Sequence, residues 1–416
     1  MFYLLLLIKN IRLETGFNYV NNFVVSTSTE KFDVLVDEGK IIKIEKEIAV
    51  AEGMEVVEGN NQLLLPAMRE MHIHIDKTYF GGDWQAPRPI TKGIFTRFEE
   101  ESELLPRQLE TASQRAHAVV QHYIKNGHRH IRSHCNVDPY IGTKHIEITK
   151  EVLASYEDKI TYEIVAFPQH GLLRSKVYPL MDQAMAMGAT HVGGVDPSTV
   201  DKNVDKSLAQ IFELAVKYDK GVDVHLHNRD TLGEYEFNKL ADFTRQTGKK
   251  GLVTISHAMA LGDLEGDALS QMMNTLSEHN IDVTTTIPIG LQRRTMPVFD
   301  LTKNNVKVSL GHDSLMDHWS PFGTGSTVEK MNTLAERFGI SDEFRLSRIW
   351  RYATDNLTPL NDEGEKVWPQ LGDRADFILL DAETSAHGIA RKRDITKTIL
   401  NGKVAYEATE RIEVGD

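Results

Sequence analysis

The chain is short of cysteine, of basic charge and of long apolar runs, and each shortage closes off a class of function. A single thiol, Cys135, stands in 416 residues, so no intrachain disulfide can form, and that usage suits a reducing compartment better than a secreted scaffold. Lys and Arg number 47 against 60 Asp and Glu, a net charge of −13. The summed field repels phosphate backbones and anionic lipid, so nucleic acid and membrane surfaces are poor partners. No stretch approaches the roughly 20 apolar residues of a transmembrane helix. The apolar run from Met1 to Ile8 lacks a basic flank and a small-residue cleavage site; it reads as a first β-strand, and the expected compartment is the cytoplasm. Neither a glycine-rich phosphate loop nor a serine nucleophile elbow occurs where it would be needed. What remains is an ordinary globular composition, 41% hydrophobic and 26% charged, carrying 17 histidines.

Residues 1–64 hold short alternating runs, such as Lys31–Val36 and Ile41–Ile44, separated by Gly-Lys and Gly-Asn turns, the pattern of a small β unit. The pattern then changes. Strand-like runs occur at Leu64–His74, His130–Asn136, Tyr162–Pro168, His191–Asp196, Val222–His227, Leu252–Ala258, Val283–Pro288 and Val306–Asp313. Amphipathic helices such as Leu109–Lys125, Asp205–Tyr218 and Asp267–His279 separate them. Eight strand–helix units predict an α/β protein whose parallel sheet closes into a (β/α)8 TIM barrel over residues 65–360, with a doubly wound open sheet as the alternative. Beyond it, Gly372–Asp381 and Ile395–Ala405 return to alternation, with a hairpin signal at Asn401-Gly402. Segments 1–64 and 361–416 are therefore expected to pair into one small β-sandwich domain formed from both termini. The acidic stretch Glu99–Glu103 reads as an exposed helix start, and His128–His130 as surface at the end of the barrel opposite the catalytic face.

Barrel enzymes carry their reactive groups at the C-terminal ends of the strands. The first run ends His72-Ile-His74, with both side chains on one face, the fifth at His225-Leu-His227, the sixth at His257 and the eighth at His312-Asp313. Four strand ends bearing His or Asp point to a metal site. His72, His74, His225 and Asp313 form a nitrogen-rich set with one carboxylate, suited to one divalent ion, Zn2+ or Fe2+, and unsuited to Ca2+ or Mg2+. Such an ion brings the pKa of its water toward about 7. His257 either orients that water or polarises a substrate oxygen, the alternatives being a further ligand or a packed strand-end histidine. Cys135 reads as a small buried thiol, and its neighbour His134 as a candidate to reach the pocket.

These motifs resemble the amidohydrolase superfamily, and within it the cytosine deaminase branch. The likeness rests on Met71-His72-Ile-His74-Ile-Asp76-Lys77, Ile131-Arg-Ser-His134, Ile164–Gln169, Val222-Asp-Val-His225, Ser256-His257 and Gly311-His312-Asp313, followed by Asp317-His-Trp319-Ser-Pro321. It implies metal binding by His72, His74, His225 and Asp313, with His257 near the attacking water. It implies that Gln169 presents its amide to a substrate ring, reading an N–H/C=O edge, that Trp319 lines the pocket, and that the protein is a homo-oligomer. The partner implied is a small nitrogen heterocycle.

Two positions depart from that pattern. Where cytosine deaminases carry a proton-shuttling Glu three residues after the strand-five histidine, this chain has Asn228, which cannot exchange protons near neutral pH; a positioned acid/base is worth about 10²–10⁴ in rate. His227, Asp230 and Glu234 are the nearby substitutes, and Asp313 is a further base. Ser314 stands where cytosine-specific members carry a second Asp. The expectation is hydrolytic deamination of a heterocycle, with hydrolysis of an amide or cyclic amide and a catalytically impaired heterocycle-binding relative as alternatives.

Overall fold

The computed structural model describes residues 5–290 and 294–408. Five strands come first, β1 (Leu6–Val20), β2 (Phe23–Asp37), β3 (Lys40–Glu45), β4 (Glu55–Glu58) and β5 (Leu63–Pro66). Eight more follow, β6 (Met68–Ile73), β7 (His128–Asn136), β8 (Thr161–Phe167), β9 (His191–Val195), β10 (Gly221–His225), β11 (Val253–Ser256), β12 (Ile281–Thr285) and β13 (Val308–Leu310). The last three are β14 (Phe377–Leu380), β15 (Ile395–Leu400) and β16 (Lys403–Glu407).

Strands from the two ends of the chain form one sheet, ordered β16-β15-β14-β5-β1-β2-β3 with β4 beside β1. Alternation along β1 turns Leu6, Ile8, Ile11 and Leu13 inward against Val34, Val36, Phe377, Leu379 and Trp368, a core separate from the barrel's. This is the small β unit built from both termini.

The middle eight strands make the second sheet, each paired in parallel with its sequence neighbour. The seam between β13 and β6 closes through a parallel bridge of Ile73 with Asp313, and the His72 carbonyl accepts from the amides of His312 and Asp313 at 3.1 and 2.6 Å. The sheet is therefore a barrel, and the open doubly wound alternative falls. Gly311 is needed at the seam, because a Cβ there would lie 2.5 Å from that of His72. Helices α1 (Ile94–Lys125), α2 (Lys144–Ala154), α3 (Tyr178–Ala186), α4 (Val204–Tyr218), α5 (Asp230–Thr247), α6 (Gly266–Glu278), α7 (Val298–Lys303) and α8 (Thr327–Arg337) accompany the strands. Apolar residues of the longer ones, among them Val119, Ile211, Phe237 and Leu276, share one core with Ile131, Val192 and Val224 of the strands. Among the described residues no helix is long and apolar enough to cross a membrane.

Three expectations need correction. The run Leu64–His74 is two strands: Leu63–Pro66 pairs antiparallel with β14 in the terminal sheet, and the chain enters the barrel only at Met68, so an unbroken apolar run concealed a change of sheet. The strands are also shorter at their C-terminal ends than the runs. β10 stops at His225, β11 at Ser256 and β13 at Leu310, which leaves His227, His257 and Asp313 on the loops beyond. His257 and Asp313 adopt φ values of 67° and 64°, a left-handed conformation costly for such residues and concentrated at functional sites.

The third correction concerns His128 and His130, which are 0% and 6% exposed rather than surface residues. His128 Nδ1 bonds the Tyr123 carbonyl at 3.1 Å and Nε2 the Thr327 hydroxyl at 2.8 Å, tying α1 and α8 to the base of β7. Burial brings its pKa down to about 4 from the ordinary 6.5. Below pH 6.5 the unfolded chain takes up the proton that the folded chain refuses, so stability should fall between pH 6.5 and 4, by about 3 kcal/mol at 1.36 kcal/mol per unit. Urea unfolding of wild type and His128→Gln across that range measures it; equal slopes in the two proteins would assign the loss elsewhere.

Candidate active site and metal centre

At the C-terminal mouth of the barrel, histidine side chains converge from strands that the topology holds at fixed spacing. Nε2 of His72 and Nε2 of His74 lie 3.3 and 3.4 Å from one oxygen of Asp313, and the ligand atoms of His72, His74, His225 and Asp313 all lie within 4.8 Å of one another. His72 Nε2 and both ring nitrogens of His225 are buried without a hydrogen-bond partner. Polar atoms left so in an interior are expensive unless something pairs with them. A divalent cation accepts lone pairs of this type from these atoms, so the residues present fit a metal.

The hydrogen bonds behind His72 support the same conclusion. The Ser256 hydroxyl donates to Asp223 at 2.6 Å and accepts from Thr284 at 3.0 Å. Its remaining lone pair meets His72 Nδ1 at 2.7 Å, so Nδ1 carries the proton and Nε2 presents its lone pair toward Asp313. Burial, together with the charge on nearby Lys77, brings His74 down to about 3, and burial holds His225 and His257 well below the imidazole range. Neutral imidazoles and an ionised carboxylate are the forms that bind a metal.

The cavity over this cluster opens to solvent, spans about 340 Å3 with that open space included, and is lined by His74, His225, His257 and Asp313 on the ligand side and by Lys77, Ile94, Gln169, His227, Ser314 and Trp319 elsewhere. Of the residues expected at the site, Gln169, Trp319, Ser314, His257 and His227 thus face the cavity; three others do not. His134 is 0% exposed and lies beneath the ligands, its ring 4.1 Å from that of His72. Asp230 is exposed at the start of α5, its amide bonded to Asp263. The Asn228 amide nitrogen donates to Ser198 and to both oxygens of Glu236, at 2.9 to 3.1 Å, and its carbonyl accepts from Thr199 at 2.5 Å. Asn228 is therefore consumed in fixing its own loop. Asn228→Glu should set a second carboxylate against Glu236, which is 1% exposed, and cost about 1–3 kcal/mol with no gain in amine release. Denaturation and rate assays check this, and a faster enzyme of unchanged stability would contradict it.

Sequence reasoning missed two carboxylates. Asp196, at the end of β9, accepts from His227 Nδ1 at 2.9 Å and from the His227 amide at 2.7 Å, so the imidazole is held by its inner nitrogen. Glu101 was placed on an exposed helix start, yet it is 0% exposed. Its Oε1 takes His318 Nε2 at 2.7 Å, Trp319 Nε1 at 2.9 Å and Lys77 Nζ at 3.4 Å, and its Oε2 takes His170 Nε2 at 2.7 Å. Burial pushes this carboxyl up, but Lys77 and the two imidazoles outweigh it and leave Glu101 well below the carboxylate range. Lys77 also donates to Asn136 at 3.3 Å and to the Gln169 carbonyl at 2.6 Å, which uses its three protons. Gln169 therefore turns its NH2, and not its carbonyl, toward the cavity. The expected donor-and-acceptor reading of a ring edge reduces to a donor alone.

A parallel barrel with a His/His/His/Asp cluster and a carboxylate-backed histidine at its C-terminal mouth has the parts of a metal-dependent hydrolase. The chain belongs to the amidohydrolase family, whose model matches residues 110–406, and so to hydrolases of carbon–nitrogen bonds. It is 39% identical over 402 residues to the Escherichia coli (strain K12) protein named "Uncharacterized protein YahJ", covering 96% of this chain and 87% of that one. It is 27% identical over 393 residues to N-isopropylammelide isopropyl amidohydrolase of Pseudomonas sp. (strain ADP), covering 92% and 96%. The crystal structure of N-isopropylammelide isopropylaminohydrolase from Burkholderia multivorans superposes with a TM-score of 0.84 at 25% identity over 97% of this chain and all of that one. That of Klebsiella pneumoniae 5-methylcytosine deaminase does so at 0.78 and 23%, over 99% of this chain and all of that one, a likeness of fold.

Proposed function

We propose that the chain hydrolyses an exocyclic C–N bond of a small nitrogen heterocycle, releasing ammonia or an amine, with one divalent ion, Zn2+ or Fe2+, held by His72, His74, His225 and Asp313. The observation that carries this reading is the clustering of that ligand set under one cavity, lined by three of its members, that also holds a histidine backed by a carboxylate, His227 on Asp196. When bound, the ion supplies acidification of water and polarisation of the carbon under attack.

The chain's own residues do the rest. Gln169 donates from its NH2 to an acceptor on the substrate, a ring nitrogen or an oxo oxygen, while Trp319, fixed by its N–H on Glu101, offers a face for the ring. With Nδ1 bonded to Asp196, His227 moves a proton at Nε2, taking it from the attacking water and giving it to the departing nitrogen, the task for which Asn228 is unsuited. His257, its Nε2 4.0 Å from Asp313, supports the developing charge on the attacked centre. The oxo-substituted ring and exocyclic amine of the substrates for which the N-isopropylammelide hydrolases are named match this set of donors.

Metal-supplemented protein is assayed for ammonia or amine release from aminated pyrimidines, purines and triazines. Release from rings bearing an oxo or ring-nitrogen acceptor beside the amine is expected. Turnover confined to ring amides would overturn the reading.

A further inference from the structure

The hairpin of β1 and β2 reaches beyond the sheet to which it belongs. β3 pairs with β2 only over Asp33–Asp37, and β4 and β5 meet β1 only over Leu6–Lys9 and at Arg12. From there outward β1 and β2 pair with each other alone, as far as Val20 with Phe23, and Asn21 and Asn22 turn the chain at φ values of 48° and 65°. A two-stranded ribbon is marginal in water without something packed on it, and one side of this one is held. The Phe17 ring meets that of Phe344 edge-on at 5.7 Å, and the Thr27 hydroxyl donates to Glu343 at 2.7 Å, both partners belonging to helix α9 (Glu343–Arg348). The ribbon is thus fixed in place. Among the described residues no strand other than β1 pairs with β2 over Phe23–Phe32, so its outer edge is open.

The composition of that edge differs from the rest of the chain. Charged residues make up 26% of the sequence, yet none occurs from Thr15 to Thr29. Proteins that keep an edge strand to themselves place lysine, other charges or proline along it, because a row of unpaired N–H and C=O groups accepts another strand. Phe23–Thr29 carries no charge and no proline, only Phe, Val, Ser and Thr. The tip adds apolar surface, with Phe23 75% exposed, Val20 55%, Tyr19 53% and Val25 52%.

We propose that the outer edge of β2 is the surface through which two copies of this chain associate, their β2 strands pairing antiparallel about a two-fold axis. Charge selects a second copy as the occupant. A chain of net charge −13 repels its own kind wherever charge is dense, and this edge is free of it. A two-fold anywhere within Phe23–Thr29 also sets Glu30 and Lys31, the nearest charges along β2, opposite no charged residue of the second copy, so like charges never face each other. The contact is small. Tyr19 and Phe23, at up to about 150–250 Å2 each, fall short of the roughly 800 Å2 per partner of a standard interface. The dimer is therefore weak and concentration-dependent, with a dissociation constant in the micromolar range.

Sedimentation of the whole chain from about 1 to 200 μM, a range that brackets micromolar affinity, tests the assignment. The mass of the wild type is expected to rise with concentration from one copy to two. Val25→Lys and Phe23→Lys each place an ammonium on the edge at a position more than half exposed, and each should weaken association at least tenfold while unfolding in dilute solution stays as in the wild type. Gln114→Lys, exposed on α1, should leave association unchanged. If Phe23→Lys does not fold, Val25→Lys decides alone. A wild type that remains single throughout, or an association that the edge lysines weaken no more than Gln114→Lys does, would overturn the proposal.

Discussion

His227→Asn is expected to lower kcat by about 10²–10⁴-fold, the usual contribution of a positioned acid/base, with bound metal unchanged. The imidazole projects into the cavity while Nδ1 and its own amide are tied to Asp196, so the ring is held in one orientation. Asn keeps a polar side chain of smaller volume and loses the proton carrier. Asp196→Asn should give a smaller loss of the same kind, because it removes the charge that steadies the imidazole and keeps an acceptor. Asn228→Asp should change the rate little, since that side chain points into Ser198, Thr199 and Glu236. Single-turnover kinetics with metal content measured on the same samples distinguish these outcomes. A His227→Asn protein of normal kcat would place the proton transfer elsewhere, Asp313 being the remaining base in the cavity.

Glu101→Leu is expected to destabilise the fold by about 3–5 kcal/mol, the cost of leaving a buried charge without its partner. Four donors converge on this carboxylate from the loops after β6, β8 and β13, and Lys77, 1% exposed, would keep hydrogen bonds only to the amide oxygens of Asn136 and Gln169. Because Lys77 fixes Gln169 and Glu101 fixes Trp319, a folded Glu101→Gln protein should also bind substrate more weakly, raising KM more than it lowers kcat. Glu99 and Glu103, exposed on the same helix, provide controls expected within about 0.5 kcal/mol of wild type. If Glu101→Leu behaves as they do under denaturant, the carboxylate does not organise these loops.

The barrel and the cluster at its mouth were legible for a common reason. A parallel strand must be followed by a crossover, so eight apolar runs with helices between them dictate the sheet, and the ends of the runs dictate where side chains meet; that rule brings His72, His74, His225 and Asp313 to one end of the barrel, along with His227 and His257. Asp196 lay within its reach too, at the end of the fourth run, and passed unnoticed because its partner His227 is on a neighbouring loop. Glu101 was hidden differently. Its partners lie 24, 69, 217 and 218 positions away, and nothing local marks a glutamate among glutamates as buried. A signal existed nonetheless, since the buried face of α1 runs Phe98, Glu101, Leu105, Gln108, Ala112, Ala116 and Val119, and carrying the period back from Ala112 would have put Glu101 inside. The change of sheet at Ala67 and the turn of the Gln169 amide depend on partners from distant segments, β14 and Lys77, and no local pattern encodes them.

Three imidazoles and one carboxylate from three strand ends, His72, His74, His225 and Asp313, are expected to hold a single ion. Metal analysis of the purified chain beside Asp313→Ala and His225→Ala, each dialysed against Zn2+ or Fe2+ and freed of excess, measures this directly. The prediction is about one equivalent of divalent ion in the wild type, substantially less in each variant, and hydrolysis that follows occupancy when a chelator strips the ion and the ion is restored. A wild type without stoichiometric metal, or variants that retain as much as it does, would contradict the account.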